Sequence, residues 1–141
     1  MPTLRILPFF YALRDLYNDM HWNAKSYADH LLYGEQYKSV VEDLDHSAEA
    51  IIVMTEDGLD MTARERADAT AELFATFERS GVLNNVNLVE MALEKHINEV
   101  VRPYAETLPI SVQDSWRNHW DNVSLRSNQR IYLNTMAHRS A

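Results

Sequence analysis

The chain has 141 residues, no cysteine, three glycines, four prolines and a formal net charge of −8. Its length predicts a single domain over residues 1–141, and the lack of cysteine excludes disulfides and thiolate metal centres. The acidic balance speaks against a nucleic-acid partner, which needs clustered Lys and Arg.

Few turn-forming residues, with plentiful Ala, Leu, Glu and Arg, predict an all-α fold of five helices. The first is expected from about Leu4 to Ala24, with Pro8 near its start and Ile6, Phe9, Phe10, Leu13, Leu16, Tyr17 and Met20 on one apolar stripe. Ser26 is the expected N-cap of the second, whose stripe is Leu31, Tyr37, Val41, Leu44, Ala48 and Ile52 and which stops at Asp57-Gly58. Thr62 with Glu65 makes a capping box that opens a shorter segment through Glu72, Phe74 and Phe77, ending at Gly81. Asn87 with Glu90 reads as the next helix start, leading through Met91, Leu93, Ile97 and Val101 until Pro103 bends or ends it. Ser111 with Asp114 opens the last helix, through Trp116, Trp120, Val123, Ile131 and Met136. The expected plan is four long helices, with a short one in the connection between the second and third.

No apolar run approaches the ~20 residues that span a bilayer, and the opening residues lack the basic-then-apolar pattern of a signal peptide. The expected location is the cytoplasm. Glycine-rich phosphate loops, a Gly-x-Ser-x-Gly elbow and a His-Glu-x-x-His zinc helix are absent from the sequence.

The chemistry-bearing stretch runs from His21 to Glu49 and holds His21, His30, Asp45 and Glu49. Imidazole and carboxylate together are a ligand set that iron, manganese and zinc accept, and Asp45 and Glu49 stand four residues apart on one helix face. If His30 and Asp45 share one unbroken helix, the fifteen positions between them span roughly 22 Å. That is far beyond the ~2 Å reach of a metal ligand, so one chain cannot close the site. A twofold dimer closes it twice, with His21 and His30 of one copy facing Asp45 and Glu49 of the other. Taken singly, the histidines are ordinary helix-end groups and the carboxylates an ordinary solvated face.

The His-Trp-Asn at 21–23, the Tyr-Ala-Asp-His-Leu-Leu-Tyr run from Tyr27 to Tyr33, Tyr37, and Leu-Asp-x-x-Ala-Glu from Leu44 to Glu49 resemble the Dps mini-ferritins, especially their short viral and environmental members. More weakly, Ser124 to Met136, with Asn128 and Tyr132-Leu133, is similar to their last bundle helix. The resemblance implies a ferritin-like four-helix bundle, assembled as a dodecameric homo-oligomeric shell. It also implies an intersubunit ferroxidase site with His21, His30, Asp45 and Glu49 as ligands. Iron would be oxidised by peroxide or oxygen and stored as ferric oxide, protecting against oxidative stress, with zinc or manganese as substitute metals.

One position departs from the family, which usually has Asp or Glu four residues after the second histidine. Here that residue is Gly34, although glycine in a helix interior costs about 1 kcal/mol relative to alanine. The neighbouring Glu35 is rotated by about 100° and joins the candidate ligands only through local distortion or a long reach. Many Dps proteins hold DNA with a basic tail. The ends here, Met-Pro-Thr-Leu-Arg and Ala-His-Arg-Ser-Ala, carry only one or two positive charges each, so no DNA binding through a tail is expected. The alternative reading is a structural or virion-associated protein that keeps the bundle and has lost the ferroxidase, with Gly34 as the trace. His46, His96, His119 and His138 are expected to be structural or exposed.

Overall fold

The structure, a computed structural model, describes residues 4–56, 58–59 and 61–139. Among these it is all-α and compact, with five helices: α1 (Leu7–Trp22), α2 (Tyr27–Met54), α3 (Ala63–Ser80), α4 (Val86–His96) and α5 (Ile110–Arg139). The expected stop of α2 at Asp57 lies outside the described residues. No helix of the described chain is long and apolar enough to cross a membrane.

Local chemistry sets most boundaries. Pro8 sits in the first turn of α1, where its missing N–H removes no helical bond. Ser26 caps α2 by accepting the Asp29 N–H at 3.1 Å. Thr62 and Glu65 cap α3 reciprocally, at 3.1 and 3.0 Å, and α3 ends on Gly81, whose φ of 77° is left-handed.

Two helix starts differ from the sequence expectation. α4 is capped by Asn85, which accepts the Asn87 N–H at 2.9 Å, while Glu90 turns into the core and is fully buried. α5 begins at Ile110, and Asp114 instead pairs at the surface with Arg117 at 3.6 Å. The connecting helix is also longer than expected: α3 has 18 residues, against 16 in α1 and 11 in α4. Capping at both ends and strong helix formers sustain it, although it buries little beyond Ala69, Thr70 and Phe77.

α4 continues through a π turn, Ile97–Val101, in which the Arg102 N–H reaches Ile97 O at 2.8 Å. Pro103 has no N–H to extend the ladder, and a 3₁₀ segment, Pro103–Thr107, leads to α5.

Helix α1 packs on α2, α2 on α5, α5 on α4 and α4 on α1, closing a ring of four, while α3 packs on α1. One end of the interior is apolar, with Phe10, Leu13, Leu93, Ile97, Trp116 and Trp120 buried. Trp116 meets Trp120 edge-on at 5.6 Å and donates its indole N–H to Val101 O at 2.9 Å.

The fully buried face of α2 is offset from its apolar stripe, of which Tyr37, Leu44 and Ala48 pack at the edge of the core. Tyr33, Gln36, Val40, Asp43, Ser47 and Ile51 face inward, one residue before the expected stripe and hence rotated by about 100°. Leu31 and Ile52 are left half exposed. The polar members of this face each have a partner on α5, described next, which is why burying them carries no unmatched desolvation cost.

Candidate functional site

His21 lies in the last turn of α1 and His30 in the first turn of α2. The connection is short because Asn23 closes α1 on Asp19 O through both its backbone N–H, at 3.0 Å, and its side-chain amide, at 2.8 Å. The two imidazoles stack with centroids 3.9 Å apart and planes 23° apart. His21 Nδ1 is 2.7 Å from His30 O, and His30 Nδ1 is 3.0 Å from His21 O. A carbonyl can only accept, so each Nδ1 carries the proton and donates it. In the neutral ring that bond puts the lone pair on Nε2, the tautomer a metal ion requires.

The pair sits in an open groove of about 350 Å³ whose walls include Trp22, Leu31, Glu35 and Tyr37. Trp22 is 68% exposed, so it is not a core residue. Glu35 is also exposed and its carboxylate lies 3.4 Å from Lys38 Nζ.

Asp45 and Glu49 stand exposed farther along α2. Since α2 is unbroken from Tyr27 to Met54, the fifteen-residue separation places His30 and Asp45 roughly 22 Å apart. The structure therefore brings together His21 and His30 but not these two carboxylates. Among the described residues, no three His, Asp or Glu side chains of one chain gather around a metal position.

Inside the ring lies a second polar group that the sequence reading missed. Arg130 of α5 donates to Glu90 of α4 twice, at 2.6 and 2.9 Å, and to Asp43 of α2 at 2.9 Å. Arg126 also donates to Asp43. Glu90 further accepts from Tyr17 at 2.6 Å and Ser127 at 2.8 Å. Gln36 and Asn134 complete the set: Gln36 donates to Arg130 O at 3.1 Å and to Asn134 Oδ1 at 3.0 Å, and Asn134 donates to the Tyr17 hydroxyl at 3.0 Å.

Burial works against the Arg130 charge, but the charges and hydrogen bonds of Glu90 and Asp43 outweigh it and hold the guanidinium more firmly protonated than usual. Burial, then the Glu90 charge, pushes the Tyr17 phenol well above its ordinary range. Facing carboxylates inside a helical bundle are the usual frame of an internal di-metal site. Here two carboxylates meet two guanidinium groups, so the cluster is neutral and asks for no added cation. The signal was legible in α5, where Arg130 and Asn134 continue the buried register of Trp116, Trp120, Val123 and Ser127.

The remaining histidines are structural or exposed. His119 Nε2 lies 2.9 Å from Ser47 Oγ, and burial, reinforced by the Arg126 charge, lowers its pKa to about 4. His96 donates from Nε2 to Leu4 O at 2.6 Å and packs on Phe9, and burial depresses its pKa. His46 and His138 are exposed.

Compared with known proteins, the chain matches no family model, no curated protein and no solved structure.

Proposed function

We propose that this protein is a ferritin-like bundle of the mini-ferritin kind. Its copies assemble with twofold symmetry, into a dodecameric shell on the resemblance, and bind ferrous iron where His21 and His30 of one copy meet Asp45 and Glu49 of another. The observation that carries this reading is the reciprocal imidazole clamp. Both rings are fixed through Nδ1 and line one open groove, which in the neutral ring keeps Nε2 as the ligating atom. The closed ring of α1, α2, α5 and α4 supports the ferritin-like plan, and the exposed position of Asp45 and Glu49 leaves them available to a second copy.

Iron is the substrate. Each Fe(II) gives up one electron, peroxide or oxygen accepts the electrons, and the ferric product is retained as mineral. Imidazole and carboxylate suit that metal, with zinc and manganese as substitutes. The second reading, a structural protein that has lost the chemistry, rests on the sequence of α2 taken alone, in which Gly34 supplies no carboxylate where the family has one.

Mixed assembly separates these readings. His21→Ala and Asp45→Ala copies, each inactive alone, are co-assembled, supplied anaerobically with Fe(II) and then exposed to air or peroxide. In a dimer of unlike copies one of the two sites regains all its ligands, so ferric absorbance should return in part. Failure of the mixture beside an active wild type would put the site within each chain. An inactive wild type would establish the structural reading.

A further inference from the structure

Gly34 is the fourth residue after His30 on α2, and what it faces is the ring of His21. A Cβ built there would come within 3.0 Å of both Cε1 and Nδ1 of His21, whereas carbon atoms in ordinary contact stay about 3.5–4.0 Å apart. The ring is restrained by its partners and not by a closed pocket. Its Nδ1 is committed to His30 O at 2.7 Å, and its face is stacked on the His30 ring at 3.9 Å.

We propose that Gly34 is a positioning residue for the histidine pair. The absent side chain is the seat of the His21 imidazole, and any side chain there, alanine or aspartate alike, crowds the ring and pushes it by a few tenths of an ångström against its hydrogen bond and its stack. Position 34 therefore supplies the site with a nitrogen ligand held in place, not with a missing oxygen ligand. This explains a helical glycine that propensity alone disfavours. The link to metal rests on the function proposed above, but the seat itself does not.

A metal-free double-mutant cycle with chelator present tests the seat. Wild type, Gly34→Ala, His21→Ala and the double variant are compared by thermal midpoint. The wild type and Gly34→Ala are also compared by ¹⁵N imidazole spectra. In wild type both rings should show the Nδ1–H tautomer. Gly34→Ala should lower the midpoint and shift the His21 ring signals. In the His21→Ala background the same substitution should raise the midpoint, because the contact is gone and alanine is the better helix former. If Gly34→Ala alone does not fold and the double variant does, the same conclusion follows. A midpoint raised in both backgrounds, or unmoved His21 signals, would overturn the proposal.

Zn(II) titration tests the metal link separately, with Gly34→Ala expected to bind at least tenfold more weakly than wild type. A wild type that binds no Zn(II), beside a cycle that changes sign, would remove the support for the metal function and leave the seat established.

Discussion

Replacing Arg130 by methionine should remove a large fraction of the protein's stability. Methionine keeps much of the apolar stem and removes the charge, so packing changes little and electrostatics a great deal. Arg130 is 1% exposed, and Glu90 and Asp43 are fully buried. After the change Asp43 still holds Arg126, and Glu90 still accepts from Tyr17 and Ser127. Glu90, however, pairs with no other cation among the described residues. The loss is therefore one buried carboxylate stripped of its counter-charge, not two, and breaking a buried pair in this way costs about 3–5 kcal/mol. Against a total stability of about 5–15 kcal/mol for a domain, that is a large fraction.

Urea unfolding followed by circular dichroism measures it, with the slope compared between variants so that a changed unfolded state is not mistaken for a changed stability. A triple variant, Asp43→Asn with Glu90→Gln and Arg130→Met, should recover part of the loss, since it leaves no buried carboxylate without a counter-charge and the Arg126 that loses Asp43 is one-third exposed to water. A single Arg130→Met variant within about 1 kcal/mol of wild type would refute the reasoning, because a loss that small is what an exposed pair gives.

Three further outcomes follow from the same contacts. Because the folded-state pKa of His119 is depressed to about 4 from 6.5, its contribution to stability is present above pH 6.5 and is lost as pH falls toward 4; thermal midpoints of wild type minus His119→Gln across that window should converge on the acid side. Ser26→Ala should lower stability by about 1 kcal/mol in urea unfolding, through loss of the α2 cap, and Ser26→Asn should restore it. The protein should not shift duplex DNA in a gel at physiological salt, given its net charge of −8; tight, salt-sensitive binding would reveal a folded basic patch.

The parts of this molecule that were legible in the sequence are those set by neighbours along the chain. Ser26, the Thr62–Glu65 box, Gly81 and the break at Pro103 act within a turn or two, and a helix-by-helix reading recovers them. The closeness of His21 and His30 was legible for the same reason, since only a short connection separates the ends of α1 and α2. What failed was orientation. Hydrophobic periodicity placed the buried face of α2 at Tyr37, Val41, Leu44 and Ala48; Tyr37, Leu44 and Ala48 do pack at the edge of the core, but the fully buried positions are one residue earlier and include Gln36, Asp43 and Ser47. A charge is buried only where another helix supplies its opposite, and the residues that do so, Arg126 and Arg130, lie more than eighty positions away.

The same limit explains Glu90, read as a cap from its spacing to Asn87 yet drawn inward by Tyr17, Ser127 and Arg130. It also explains Gly34, which looks like a deleted ligand when α2 is read alone. Its role becomes visible only when the His21 ring, arriving from α1, is set against it. In each case the deciding partner sits on another helix, so the outcome depends on how helices face one another and not on the residues of any one of them. That rotation of α2 also has a consequence at the surface. By turning polar side chains inward it leaves Leu31 and Ile52 about half exposed and Val53 more so, on the same helix that carries Asp45 and Glu49.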